Sequence, residues 1–274
     1  MLPGELEITE RRPAADDGRP PLLFVHGLAH AAWCWEPWMD AVAEAGYHAV
    51  AVSLRGHGGS GGRLRAARLG EYADDVVRTA AALPRPPVLV GHSMGGLVVQ
   101  VAMGRYAAPA VVLMAPVPAH PAVVALAHIA RQHPQDALRL IAGGTLPLRP
   151  EYLFEGLPAE RARGYVERCG AESAVVQYQL VIHTPPRPPL GAPPVLVQAT
   201  PDDRLIPLRG IRATAARYGA QLQEYPGMGH DLMLDAGWQA PLQGMLGWLD
   251  GLQTQRGAAP RGDGAAPDRS DQPA

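Results

Sequence analysis

A serine with glycines two residues away on either side, Gly91-His92-Ser93-Met94-Gly95, stands between an apolar run, PPVLV, and a helix-patterned run, GLVVQVAMGRY. A strand that turns this sharply into a helix lifts the seryl oxygen clear of the chain, which is the arrangement of a nucleophile elbow. The turn strains the backbone at Ser93 and brings its neighbours so close that only hydrogen fits as a side chain at positions 91 and 95. Gly96 lets the following helix pack tightly on its sheet. The helix N-terminus then aims unpaired N–H groups and its positive dipole end at the surroundings of the seryl oxygen. The chemistry these residues suit is nucleophilic catalysis. A free hydroxyl is barely ionised at neutral pH, so Ser93 needs a base, and 10 histidines are available.

Composition removes several other chemistries. The 274 residues include no Lys and no Asn, so all 24 basic residues are Arg. A Schiff-base lysine, a Ser-Lys dyad and a Walker-type phosphate loop are excluded, and so is Asn-linked glycosylation. The formal net charge of -2 predicts no strong attraction to nucleic acid or to an anionic membrane. Cys34 and Cys169 lie far apart in sequence and in no metal-ligand spacing, so two isolated thiols are expected. No segment approaches about 18 consecutive apolar residues, so no stable membrane insertion is expected. The opening MLPGELEITERR carries charges too early for a signal peptide, which points to the cytoplasm.

The elements that must position Ser93 are legible as short apolar runs alternating with longer amphipathic ones, the pattern of a mainly parallel sheet flanked by helices. Strands are expected at 22–25, 48–52, 88–90, 110–114, 195–199 and 222–225, with an edge strand at 6–9. Helices are expected at 37–45, 71–83, 94–107, 208–218 and 240–252. The alternation breaks between 116 and 194. There the pattern gives helices at 120–133, 135–141 and 159–179 and then the stiff, extended HTPPRPPLGAPP. That is a helical cap (116–194) inserted after the strand ending near Met114, between two parts of an α/β core (1–115 and 195–252). Beyond Leu252 the chain lacks apolar residues to bury, so 253–274 is expected to be a disordered tail.

From the elbow outward, roughly residues 20–250, the chain resembles the α/β-hydrolase family, in its serine esterase and lipase branch. In that family a His-Gly pair after an early strand builds the oxyanion hole. Here the segment LLFVHGLAHAAWCWEPW supplies His26 and Gly27. The resemblance implies that the backbone N–H groups of Leu28 and Met94 are the oxyanion donors, with His26 stabilising the turn. It also implies the order serine, acid, histidine. LQEYPGMGHDLMLDAGW puts His230 at the tip of a loop after the last strand, as the base. VLVQATPDDRLIPL matches the family's Asp followed four residues later by Pro, at Asp203 and Pro207, with Asp202 in reserve. Asp231 and Asp235 stand on the wrong element to be the acid, and Asp74 and Asp75 read as carboxylates at a helix start. His57, in LRGHGGSGG, matches a family loop that shapes the cleft. The side chain of His92 should point away from the cleft, and it is kept with Trp33 and Phe154 as a candidate substrate contact.

The implied function is hydrolysis of a carboxylic ester of small to medium size with a hydrophobic part, through an acyl-enzyme on Ser93. Thioester and lactone hydrolysis on the same triad are alternatives. Cap arginines, among them Arg131, Arg139, Arg149 and Arg161, could meet an anionic thioester. Dehalogenases and epoxide hydrolases of the family use an aspartate nucleophile, which Ser93 argues against. HAAWCWEPW also resembles plant esterases related to hydroxynitrile lyases, but those lyases typically use a lysine that this chain lacks. Perhydrolases and slow-turnover receptors share the fold and triad. An apolar lining from Leu126, Ile129, Leu138, Ile141, Leu153 and Phe154 would suit a hydrophobic ester, and no metal or organic cofactor is implied.

Overall fold

Among the described residues, seven strands form one sheet in the order β1-β3-β2-β4-β5-β6-β7. They are β1 (Ile8–Arg11), β2 (Leu22–Val25), β3 (Ala49–Val52), β4 (Val88–His92), β5 (Val111–Met114), β6 (Val195–Ala199) and β7 (Gln221–Glu224). This is a computed structural model, and it describes residues 5–258. Every pairing is parallel except that of β1 with β3. The runs LLFV, AVAV and VVLM are apolar throughout because those strands are covered on both faces, as inner strands of a parallel sheet must be. The edge strands ITER and QLQE carry charged and amide side chains and are exposed or half-buried. The edge strand expected at 6–9 falls two residues later.

The flanking helices of the core are α1 (Glu36–Glu44), α2 (Leu69–Ala82), α3 (Met94–Ala102), α9 (Leu208–Tyr218) and α10 (Gln239–Ala258). Eight of the nine residues of α3 are buried, so it is a core helix. Helix α2 begins at Leu69, so Asp74 and Asp75 lie in its middle and do not open it. Asp75 is fully buried there and takes hydrogen bonds from the backbone and guanidinium of Arg55 at 2.7–3.1 Å. Helix α10 continues past Leu252, so residues 253–258 are helical where a tail was expected; 259–274 lie outside the described residues.

Between β5 and β6 the chain forms α4 (Val123–Gln132), α5 (Pro134–Ile141), α6 (Pro150–Leu153), α7 (Ala159–Arg168) and α8 (Ala174–Ile182), with no strand. The helix expected over 159–179 is two helices. Gly170 disfavours helix, and Ser173 caps the next one by accepting a hydrogen bond from Val176 N at 3.3 Å. Asp136 anchors the insertion internally through Arg149 (2.9 and 3.0 Å) and the Tyr152 hydroxyl (2.6 Å). Among the described residues no helix is long and apolar enough to cross a membrane.

Candidate active site

The site gathers where β4, β6 and β7 end, at the carboxyl edge of the parallel sheet, where this kind of sheet opens a crevice. Ser93 follows β4 with φ 52° and ψ -117°, a strained backbone held by hydrogen bonds of Ser93 N to Met114 O and of Val117 N to Ser93 O, both 3.0 Å. The glycines of the elbow are needed for space. A Cβ on Gly91 would lie 2.4 Å from Gly95 O, and one on Gly95 would lie 2.4 Å from both Val25 O and His26 O. At Gly96 the obstacle would be Pro116, 2.7 Å away.

His230 lies in the loop after β7. Its Nδ1–H donates to Asp203 Oδ2 at 2.7 Å, and its Nε2 accepts from the Ser93 hydroxyl at 2.8 Å. All three side chains are buried. The other oxygen of Asp203 accepts from Leu205 N and Ile206 N, each at 2.8 Å, which locks the carboxylate in place. Asp202, the alternative acid, instead accepts from Gly227 N at 2.7 Å in the loop that leads to His230. Burial opposes a charge on His230, but Asp203 beside it wins and lifts its pKa above the ordinary histidine value of 6.5. A hydroxyl, an imidazole and a carboxylate in this chain can move a proton off Oγ and stabilise the imidazolium that results.

The segment after β2 runs against Ser93: a Cβ on Gly27 would lie 3.2 Å from Ser93 Cβ. Leu28 lines the cavity in front of Ser93, and Met94 is the first residue of α3. His26 donates from Nδ1 to Gly27 O (2.8 Å) and accepts at Nε2 from Leu54 N (3.0 Å), so it ties the turn to the end of β3 as a neutral ring. Burial accordingly pushes its pKa well down. His57 sits beneath, its ring 4.9 Å from that of His26.

A second His–Asp pair adjoins the first, and its role did not emerge from the sequence. His30 Nε2 faces Asp231 Oδ2 at 3.0 Å, and His30 Nδ1 faces Leu28 O at 2.7 Å. Both ring nitrogens face acceptors, an arrangement that favours the imidazolium. Burial disfavours that charge, but Asp231 outweighs it and raises the pKa well above the usual value. His92 donates from Nε2 to His230 O at 3.1 Å, and burial pushes its pKa down to about 3. His92, His230 and Asp231 each offer a potential metal-ligand atom within 4.8 Å of the others. Both His230 nitrogens are already engaged, so holding an ion would break the Ser93–His230–Asp203 chain, and the set does not fit a resident metal. Asp235 supports the loop, accepting from Gly229 N at 2.6 Å and from Glu155 N at 2.9 Å. Gly229 is required by close approach, since a Cβ there would lie 2.4 Å from Leu153 O.

The cavity, of about 90 Å³, is walled mainly by aliphatic side chains, with Ser93, His30, His92, His230, Asp231 and Gln177 as its polar members. Leu126, Ile129 and Leu153 line it as expected from the insertion. Trp33 and Phe154 do not. Trp33 stacks between His30 and Tyr165, at 5.3 and 6.2 Å, under the Arg168 guanidinium. Phe154 packs on Tyr165 at 5.7 Å, with its Cα against Gly229. Leu138 and Ile141 point to solvent, 66% and 71% exposed. Arg149 is engaged with Asp136, and none of the four arginines considered for an anionic substrate lines the cavity.

Comparison with known proteins bears on the fold and the family. A probable esterase of rice, Oryza sativa, is 41% identical over 110 residues, which is 38% of this chain and 42% of the rice protein. The match thus spans less than half the length of that relative. A monoacylglycerol lipase of Mycolicibacterium smegmatis is 28% identical over 254 residues, covering 85% of this chain and 89% of its own. Among solved structures, an esterase from Exiguobacterium antarcticum superposes with a TM-score of 0.70 at 16% identity, over 89% of this chain and 95% of its own. That likeness speaks for the fold. With the model of the alpha/beta hydrolase family matching residues 22–242, most of the sheet and all of the elbow, this chain belongs to that family.

Proposed function

We propose that this protein is a serine hydrolase that cleaves carboxylic esters through an acyl-enzyme intermediate on Ser93. The observation that carries the reading is the unbroken hydrogen-bonded chain Ser93–His230–Asp203 opening onto an apolar cavity. His230 takes the proton of Oγ as the serine attacks the ester carbonyl. The Leu28 and Met94 N–H groups stabilise the oxyanion, and His230 returns the proton to the departing alcohol. Water then repeats the sequence on the acyl-enzyme. The helical insertion, 116–194, acts as a cap that supplies the apolar wall. The names of the rice and mycobacterial relatives, an esterase and a lipase, support the same reaction class.

The small aliphatic cavity favours a short to medium acyl chain. With p-nitrophenyl esters from acetate to palmitate, multiple turnover is expected for the shorter members, falling steeply toward palmitate. Absence of turnover across the whole series would sink the ester reading.

The pH dependence follows from His230. Only its neutral form can accept the seryl proton, and Asp203 has lifted its pKa above 6.5. A plot of kcat/KM against pH is therefore expected to rise through a pKa above 6.5, with activity lost as pH falls through that value. A midpoint on the acid side of 6.5 would contradict the pairing with Asp203.

A further inference from the structure

We infer that Glu172, on the helical insertion, is a positioning residue for the oxyanion loop: it clamps Ala29 in a left-handed backbone and thereby fixes the direction of the Leu28 N–H. The inference rests on the ester-hydrolase reading and adds to it a residue outside the triad and the cavity wall.

Ala29 has φ 58°, a left-handed conformation that strains a non-glycine residue and persists only where neighbours impose it. The neighbours come from one short stretch, between α7 and α8. Gly170 N donates to Ala29 O at 2.8 Å, and Ala29 N donates to Glu172 Oε2 at 3.1 Å. The residue is thus gripped at both its polar groups by the insertion. The peptide that carries the Leu28 N–H is held at Gly27 O by His26, and the next peptide is held at Leu28 O by His30 and at Ala29 N by Glu172. An amide hydrogen points opposite to its carbonyl across a trans peptide, so the grip of His26 and His30 N on Gly27 O sets the plane of the Leu28 N–H, and the Glu172 grip on the following peptide keeps Leu28 from turning that plane. Of the three side chains, only that of Glu172 belongs to the insertion.

The surroundings of Glu172 explain why it is a carboxylate. Its side chain is 1% exposed. Oε2 also meets His57 Nε2 at 3.1 Å, while Oε1 accepts from the Tyr72 hydroxyl and from Ser173 N, both at 2.8 Å. Burial works against its charge, but the bonds from His57, Ser173 and Ala29 hold its pKa below the ordinary glutamate value. Four donors converge on two oxygens. A glutamine would have to turn its NH2 group, itself a donor, toward one pair of them. The insertion is thereby wired to the oxyanion loop, to the loop bearing His57 and to α2 through a single side chain.

The test compares wild type with Glu172→Gln and with Tyr72→Phe, which loosens the same carboxylate while leaving its bond to Ala29. For each, kcat and KM are measured on p-nitrophenyl butyrate. Affinity is measured for an alkyl trifluoromethyl ketone, which forms a tetrahedral oxyanion on serine, and for a primary alcohol, which fills the cavity without one. In Glu172→Gln, kcat is expected to fall about 10- to 100-fold with KM little changed, and ketone affinity to fall by the same factor. Alcohol affinity is expected to stay unchanged, and Tyr72→Phe to shift kcat and ketone affinity the same way by less than about tenfold. Full kcat in a folded Glu172→Gln overturns the inference, as does a loss shared equally by ketone and alcohol that tracks the unfolded fraction. Wild type inert toward every ester would fail the ester reading itself, and this inference with it. An active wild type matched by its variants fails only the inference.

Discussion

Ser93→Ala is expected to reduce kcat for ester hydrolysis by about 10⁶-fold, the scale seen when a nucleophile is removed from a site whose members act as a unit. That corresponds to roughly 8 kcal/mol of lost barrier lowering. The variant should keep the fold. Alanine removes only Oγ, and the strained backbone at φ 52° is held by Met114 O and Val117 N, which do not involve the side chain. KM for a short ester should change little, because the aliphatic wall is untouched. Steady-state kinetics beside a thermal melt separate loss of chemistry from loss of structure. A melting temperature near wild type with residual activity above about one per cent would contradict the nucleophile assignment.

The second large effect is expected from Asp203→Asn, at about 10⁴-fold in kcat with KM preserved. The geometry dictates how the asparagine must sit. Oδ1 of Asp203 accepts from Leu205 N and Ile206 N, so the amide oxygen stays on that side and the NH2 group turns to His230 Nδ1. Facing a donor, Nδ1 must give up its hydrogen, and the imidazole proton moves to Nε2, the atom that has to accept from Ser93. The base is then present, correctly placed and in the wrong tautomer. Losing the charge of Asp203 also lowers the His230 pKa, so the acid limb of any residual activity moves to lower pH. Substituting Asp202 in the same way should leave kcat within about threefold, because its carboxylate holds Gly227 N and not the imidazole.

The parts of this site that local sterics dictate were readable in the sequence. Gly91, Gly95 and Gly96 are the imprint of backbone and side-chain atoms 2.4–2.7 Å from where a Cβ would stand. Strands covered on both faces read as unbroken apolar runs, and β6 and α9 lie where the pattern put them. What escaped was set by contacts distant in sequence. Nothing local marks Glu172 as the meeting point of Ala29, His57 and Tyr72, up to 143 residues away. In the sequence Asp75 reads as an ordinary helix-start carboxylate, because its burial against Arg55 depends on how α2 meets the loop after β3. The place of Trp33 just after His26-Gly27 predicts a cavity contact. The turn over Ala32–Trp35 sends Trp35 into the core and Trp33 against Tyr165. Apolar periodicity likewise ran unbroken through 159–179, and the break came from the bonds that Gly170 and Ser173 make.

Reaction with a fluorophosphonate, followed by intact-mass and peptide mass analysis, tests the central claim most directly, because it reads covalent chemistry at one atom without a choice of substrate. The account predicts one phosphonyl group per wild-type chain, on the peptide containing Ser93. It predicts none on Ser93→Ala, and labelling slowed by orders of magnitude in His230→Ala. An unlabelled wild type, or equal labelling of wild type and Ser93→Ala, would contradict it.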